Sequence, residues 1–148
     1  MTQPLSGVAI FRPLPDDALD GLAARGKRRR FPAGTVLMRE GEPSETLHVV
    51  LAGRVRVERS AQSNDPVALA ELGRNEVVGE MGVLDHAPRS ATVTAIEDTE
   101  TLELHATALA VAIIQNPAVT AGLLRMLSQR LRNTGELVEQ LARGSRHP

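Results

Sequence analysis

The sequence predicts a mainly β fold, an eight-stranded antiparallel jelly-roll-like barrel with one helix before it and two helices after it. Three observations predict this fold. Apolar and polar residues alternate in short segments between Lys27 and Leu104, as they do in strands with one buried face. Turn residues separate these segments at intervals of roughly 8–12 residues. After Leu104 the apolar spacing becomes helical and stays helical almost to the end of the chain.

The length of 148 residues is enough for one domain with a sizeable core. We therefore expect a single domain over residues 1–148, with the barrel at about 27–104 and the C-terminal helices at about 106–143. A parallel α/β sheet would need a helix between successive strands, and the short connections leave no room for one. Because the chain has two Phe and neither Tyr nor Trp, its core must be aliphatic.

The first predicted element is a short helix that begins near Pro15. Proline suits the first position of a helix, and the carboxylates of Asp16 and Asp17 complement its positive end. Gly26 is a typical stop signal. The predicted apolar face consists of Ala18, Leu19, Leu22 and Ala23.

About eight strands are predicted in the middle of the chain. The basic run Lys27–Arg30 is interpreted as a strand with a solvated edge rather than as a nucleic-acid contact. Gly53 and the turn at Gly73 mark two of the connections. The clearest further segments are Thr35–Met38, Leu47–Leu51, Val55–Glu58, Val67–Leu69, Ala91–Ala95 and Thr101–Leu104.

Two helices are predicted after the strands, from Thr107 to Gln115 and from about Ala118 to Ala142. Asn116 caps the second helix and Pro117 occupies its first turn. Apolar residues on this helix repeat at intervals of three and four, which is the spacing of a coiled-coil seam. The seam can pack on its own domain or on a partner helix, and we expect a homodimer. Its members are Leu124, Leu127, Leu131, Thr134, Val138 and Leu141.

The composition excludes several classes of function. Cysteine is absent, which rules out disulfides, thiolate zinc sites, iron–sulfur clusters and a cysteine nucleophile. The scarcity of aromatic residues argues against base stacking, and the net charge of −1 gives no general attraction to DNA or membranes. No apolar run reaches the roughly 18 residues that span a bilayer, and residues 1–7 lack the pattern of a signal peptide. We expect a cytoplasmic protein.

One segment, Val78–Ala91, departs from the strand pattern and carries candidate chemistry. Gly79 and Gly82 flank Glu80, and Arg89 follows at the start of a strand. Glycines let backbone N–H groups approach an anion, Arg provides a planar fork for a phosphate, and a carboxylate accepts hydrogen bonds from sugar hydroxyls. These groups together describe a sugar-phosphate pocket. An ion pair between Glu80 and Arg89 that braces a loop is the alternative.

Here two motifs carry a family resemblance. Gly79–Val83, followed after five residues by Arg89–Thr94, resembles the phosphate-binding cassette of the cyclic nucleotide-binding domain family. Upstream, Val36–Gly53 is similar to the β-strand signature of that family, with glycines at the expected places. Ser44 is a mild departure, since Gly or Ala is usual there. The resemblance implies the predicted barrel and a regulatory binding function.

The resemblance also implies roles for particular residues. Arg89 would pair with the cyclic phosphate, and Glu80 would accept a hydrogen bond from the ribose 2′-hydroxyl. Backbone N–H groups and the Ser90 hydroxyl would complete the phosphate contacts. The full ligand-binding set is Gly79, Glu80, Met81, Gly82, Val83, Arg89, Ser90, Ala91 and Thr134.

The last helix resembles the dimer helix of Crp-like regulators in this family. Thr134 matches a Thr that contacts adenine, whereas Gly135 stands where a Ser from the second subunit would be. Leu131 and Gly135 are candidates for a lid over the base. This lid must be aliphatic, because no aromatic residue is available there. The residue that follows Arg89 is Ser90, whereas family members selective for cGMP have a Thr at this position, so the chain differs mildly from them. The expected ligand is cAMP, with cGMP as the second possibility.

We therefore predict a binding protein rather than an enzyme, because no catalytic triad, carboxylate pair or metal-ligand cluster is evident. No cofactor and no membrane contact are expected. Direct DNA binding is not expected either, since residues 144–148 leave no space for a helix-turn-helix. Ligand binding would reposition the last helix and signal to a downstream protein. The alternatives are the sensor part of a Crp-like transcription regulator that lacks its DNA-binding domain, a nucleotide-independent dimerisation or docking module, and a regulatory domain like those of cyclic nucleotide-gated channels or kinases, acting on a separate chain.

Overall fold

The computed structural model describes the backbone of residues 3–60, 67–80, 83 and 86–145, and the side chains of these residues up to 133. In these described ranges, two sheets and three α-helices form the fold, and a short 3₁₀ helix, Ala9–Phe11, precedes them. The helices are α1 (Asp16–Ala24), α2 (Ala106–Gln115) and α3 (Ala118–Ser145). The strands are β1 (Lys27–Phe31), β2 (Val36–Met38), β3 (Thr46–Ala52), β4 (Val55–Arg59), β5 (Val67–Leu72), β6 (Val77–Val78), β7 (Thr92–Ala95) and β8 (Thr99–His105).

The eight strands are antiparallel, as predicted, but they do not close into a barrel. They form two four-stranded sheets with the orders β1-β8-β3-β6 and β2-β7-β4-β5. Within the described parts of the chain, no ladder of hydrogen bonds joins one sheet to the other. Closure would need paired edges, and β6 is only two residues long before Gly79 leaves extended geometry. The expectation of a closed barrel is therefore corrected to a two-sheet sandwich.

The first sheet lies between the helices and the second sheet. Side chains alternate across a strand, and Leu47 and Val49 of β3 pack with residues of α1, α2 and α3. Val50, one position on, packs with Met38 and Val93 of the second sheet. The fold thus has three layers, and the aliphatic core predicted from composition occupies both interfaces.

The helix boundaries follow from local chemistry. Asn116 caps α3, since its side-chain oxygen accepts a hydrogen bond from the Ala118 N–H at 3.2 Å. The same side chain donates to the Pro13 carbonyl at 2.8 Å and ties α3 to the N-terminal segment. Helix α3 continues to Ser145, three residues beyond the predicted end. Among the described residues, no helix is both long and apolar enough to cross a membrane.

Candidate functional site

A cavity of about 1000 Å³ is lined by residues of the second sheet, of the segment that follows β6 and of α3. Strands β2, β4, β5 and β7, with the residue just before β7, provide an aliphatic wall on one side. The segment after β6 provides Gly79 and Glu80, and the start of β7 is preceded by Arg89. The aliphatic wall consists of Met38, Val57, Leu69, Ala70, Leu72, Ala91 and Val93.

Gly79 is required where β6 ends. Its φ is +87°, a value that residues with a side chain rarely adopt. A Cβ atom at this position would lie 2.6 Å from Nη1 of Arg89 and 3.2 Å from the Thr46 carbonyl oxygen. The glycine therefore turns the chain and also leaves the space in which the Arg89 side chain lies.

Arg89 is buried, with 9% of its surface exposed. Its Nη1 donates to the carbonyl oxygens of Thr46 at 2.7 Å and of Gly79 at 3.3 Å, and its Nη2 donates to the Thr46 hydroxyl at 3.1 Å. Burial lowers the pKa of the Arg89 guanidinium from its usual value, while the carboxylates of Glu42, Glu103 and Glu80 act in the opposite direction. A buried guanidinium at a cavity wall is suited to bind an anion.

The two sequence motifs form one site. The Gly41 N–H donates to the Arg89 carbonyl, and the Arg89 N–H donates to the Glu42 carbonyl, each at 2.8 Å. Thr46 of β3 also comes from the upstream motif. The upstream segment therefore holds both the backbone and the side chain of the arginine that the downstream segment contributes.

Glu80 is 4% exposed and pairs with an arginine of α3. Nη1 of Arg130 lies 2.5 Å from Oε1 of Glu80, and Nη2 of Arg130 donates to the Val77 carbonyl. A buried carboxylate needs such a partner, because an unpaired buried charge is costly. The alternative predicted from sequence, a direct pair between Glu80 and Arg89, is wrong: the two residues bind different partners.

The predicted site residues divide into three groups. Gly79, Glu80, Arg89, Ser90, Ala91 and the lid candidate Leu131 line the cavity. Val83 is buried in the core between the first sheet and the helices. The remaining predictions concern Met81 and Gly82, which lie outside the described residues, and Thr134 and Gly135, for which only the α3 backbone is described.

Sequence reasoning missed Thr46 and Arg130. Arg130 lies four residues before Thr134, a spacing that places two helical residues on one face, and this signal could have identified it. Thr46 has no such signal. Its contact with Arg89 depends on how two strands meet and cannot be inferred from spacing.

The predicted seam on α3 is divided between two environments. Leu124 is 61% exposed and Leu131 is 73% exposed, one heptad apart. Leu127 is partly buried and packs against the core under the helices. The last three members, Thr134, Val138 and Leu141, have no described side chains.

Comparison with known proteins identifies the family. The family described as "Cyclic nucleotide-binding domain" matches residues 28–116, which include both motifs and nearly all of the two sheets. The chain belongs to the cyclic nucleotide-binding domain family. Its fold of two antiparallel sheets with flanking helices is the fold of this family.

The similar proteins include a transcriptional regulator and a cyclic AMP receptor protein. The chain is 28% identical over 141 residues to a "CRP-like cAMP-activated global transcriptional regulator" of Mycobacterium tuberculosis, covering 95% of this chain and 63% of the relative. It is 34% identical over 128 residues to a "Cyclic AMP receptor protein" of Thermus thermophilus, covering 86% and 59%. The crystal structure of the Thermus thermophilus catabolite activator protein matches with a TM-score of 0.79 and 32% identity, covering 90% of this chain and 63% of that one. The chain thus spans less than two thirds of the length of these relatives.

Proposed function

We propose that this chain is a regulatory domain that reversibly binds a cyclic nucleotide, with cAMP preferred to cGMP, and releases it unchanged. The observation that carries the proposal is that two buried charged residues, Glu80 and Arg89, line one cavity of about 1000 Å³. A cyclic nucleotide offers a hydroxyl donor to the carboxylate and a singly charged phosphate to the guanidinium. The proposal involves no metal and no cofactor.

The polar groups and the aliphatic wall suggest one orientation of the ligand. The phosphate lies at Arg89 and Ser90, with the backbone N–H group of Ala91 as a further donor. The ribose 2′-hydroxyl donates to Glu80. The base then lies against the aliphatic wall and below α3, whose residues Leu131, Thr134 and Gly135 form the lid. The Thr134 hydroxyl is the proposed source of selectivity for adenine.

Arg130 provides a direct connection from the ligand to α3. Because Arg130 pairs with Glu80, a ribose hydroxyl that binds Glu80 changes the environment of a side chain on the helix. Ligand binding can therefore shift the population of α3 positions. Coupling of this kind is typically about 1–3 kcal/mol. The signal would pass along α3 to a second subunit or a partner protein.

Calorimetric titration with cAMP, cGMP and adenosine tests the binding proposal. We expect cAMP to bind more tightly than cGMP, and both to bind more tightly than adenosine, which lacks the phosphate. Arg89→Ala should weaken cAMP binding at least tenfold and up to about a thousandfold, because it removes a bidentate charge-assisted contact. Chromatography of the ligand after incubation should recover it intact.

Arg74→Ala is the matched control, because Arg74 is an exposed arginine in the turn before β6 and lies outside the cavity. It should bind cAMP as the wild type does. Absence of heat and of a thermal shift at millimolar cAMP and cGMP would refute the proposal and favour a nucleotide-independent docking module.

We also propose that α3 forms a homodimer. Leu124 and Leu131 are large, apolar and exposed on one helix, at the spacing of a coiled-coil seam. Leu131→Glu should shift the sedimentation equilibrium towards monomer. Ile114→Glu is the control, since Ile114 is 78% exposed but lies on α2. Equal sedimentation of wild type and Leu131→Glu would contradict the dimer.

A second candidate function is the sensor part of a Crp-like transcription regulator. The Mycobacterium tuberculosis relative favours it, because this chain matches only 63% of a transcriptional regulator. The length of the complete reading frame distinguishes the two candidates. A pull-down with and without cAMP would identify a partner that responds to the ligand.

A further inference from the structure

The β3–β6 ladder ends beside Arg89. His48 pairs with Val78 and Val49 pairs with Val77, so continuation of the ladder would place Gly79 opposite Leu47. The positive φ of Gly79 turns the chain away instead. Carbonyl groups at the end of a ladder still need donors. Nη1 of Arg89 provides them, because it donates to the carbonyl oxygens of both Thr46 and Gly79.

Thr46 binds one particular edge of the guanidinium. Its carbonyl accepts from Nη1 and its hydroxyl accepts from Nη2, so the two acceptors together hold the edge that carries both Nη atoms. A guanidinium has five N–H donors in a rigid plane. Nη1 lies on the same side of the Nε–Cζ bond as Cδ, so the other edge presents the Nε–H and one Nη2–H side by side. In the described part of the chain, no hydrogen bond from Nε of Arg89 is observed.

We propose that Thr46 is the positioning residue of the phosphate site: it holds the Nη1–Nη2 edge of Arg89 so that the Nε–Nη2 edge faces the phosphate. This inference rests on the proposed function. A pair of parallel N–H groups matches two oxygens of a phosphate. The phosphate therefore binds without displacing any contact that Arg89 makes in the free protein, and the side chain is already ordered.

The hydroxyl of Thr46 determines which edge of the Arg89 guanidinium is held. Without the hydroxyl, the carbonyls of Thr46 and Gly79 would still bind Nη1, but no contact of Thr46 would hold Nη2. Threonine is branched at Cβ and has a restricted χ1, so its hydroxyl keeps a fixed position relative to its own carbonyl. Serine retains the hydroxyl with more freedom, whereas valine retains the shape and removes the acceptor.

Two variants and two measurements test the proposal. Thr46→Val should weaken cAMP binding about tenfold, the effect of losing one charge-assisted hydrogen bond, and should leave adenosine binding unchanged. Thr46→Ser should stay within about threefold of the wild type, since its hydroxyl can accept the same bond. Thr94→Val is the matched control, because Thr94 is a half-buried strand residue outside the cavity lining.

NMR of ¹⁵N-arginine-labelled protein without ligand provides the second measurement. Arg89 should show separate Nη1 and Nη2 signals in the wild type and in Thr46→Ser, because both nitrogens are held. Their absence in Arg89→Lys assigns them. In Thr46→Val the two signals should merge, because rotation about the Nε–Cζ bond, which exchanges Nη1 with Nη2, is released.

The two measurements separate failure of this proposal from failure of the proposed function. A wild type that binds no cAMP refutes the function, while the Nη signals still decide the positioning. Unchanged Nη signals in Thr46→Val overturn the positioning role. An unchanged cAMP affinity of Thr46→Val also overturns this role if the wild type binds cAMP. An equal loss of adenosine and cAMP binding in Thr46→Val overturns it as well, because it would indicate a general structural effect.

Discussion

The two faces of β3 bury different chemistry. Leu47 and Val49 face the helices and pack in a continuous aliphatic core, whereas Thr46 and His48 lie on the face towards the second sheet. There Thr46 holds Arg89, and the buried His48 contacts the Thr101 hydroxyl at 2.8 Å. One face of β3 therefore buries apolar side chains and the other buries polar groups, because side chains alternate along a strand.

The largest expected effect is on the helix-facing side. Leu47→Ala should lower the free energy of unfolding by about 2–5 kcal/mol, because it removes a fully buried side chain and leaves a cavity. The affinity of the remaining folded protein for cAMP should be unchanged. Denaturant unfolding and calorimetry measure the two quantities.

Val57→Ala is the contrasting variant, since Val57 lines the ligand cavity and is only partly buried. It should cost less stability than Leu47→Ala and should weaken ligand binding more. If Val57→Ala cost more stability than Leu47→Ala and weakened ligand binding less, the proposed difference between stability at the helix-facing core and binding at the cavity would be wrong.

The next effect concerns His48 and acid pH. Burial, with Arg89 and Arg29 nearby, lowers the pKa of His48 from 6.5 to about 4, although the Glu103 carboxylate lies 3.5 Å from Nε2. Between these pH values the unfolded chain binds a proton that the folded protein does not. Stability should therefore fall as the pH falls from about 6.5 to 4, by up to about 3 kcal/mol.

His48→Phe removes the titrating group and keeps a ring beside Phe31, whose ring centre lies 5.8 Å from that of His48. The difference between the unfolding free energies of wild type and variant should depend on pH in this window, which separates His48 from the carboxylates that also titrate. A difference that is constant from pH 4 to pH 7 would show that His48 does not carry the effect.

The smallest expected effect on stability is at Gly79. Gly79→Ala should cost about 1–2 kcal/mol of stability because of its positive φ. It should also weaken cAMP binding about tenfold or more, because the new methyl group would occupy the space of Arg89 Nη1. Thermal unfolding and calorimetric titration measure the two effects.

Gly34→Ala is a closely matched control for this variant. Gly34 has a φ of +89°, and a Cβ atom added at this position would have no neighbouring atom within 4 Å. It should show the loss of stability that comes from the positive φ alone, with no change in cAMP affinity. Equal effects of the two variants on binding would mean that crowding of Arg89 is not the cause.

Much of the fold could be predicted from local patterns. The three helices and seven of the eight described strands lie where apolar spacing, turn residues and the Asn116 cap predict them, because these patterns are properties of a short stretch of chain. Strand β6 was not predicted as a strand, because it is two residues long and passes directly into the glycine turn. The closed barrel was wrong for the related reason that edge pairing depends on distant segments.

Most of the secondary structure, the aliphatic character of the core and the charged residues of the candidate site, Glu80 and Arg89, could be predicted from the sequence. The partners of these two residues follow only from the tertiary structure. Thr46 is 43 residues from Arg89, and Arg130 is 50 residues from Glu80, so neither contact is encoded in a local period. Each exists because a buried charge or an unpaired carbonyl needs a hydrogen-bond partner, and the packing of the layers determines which side chain is within reach.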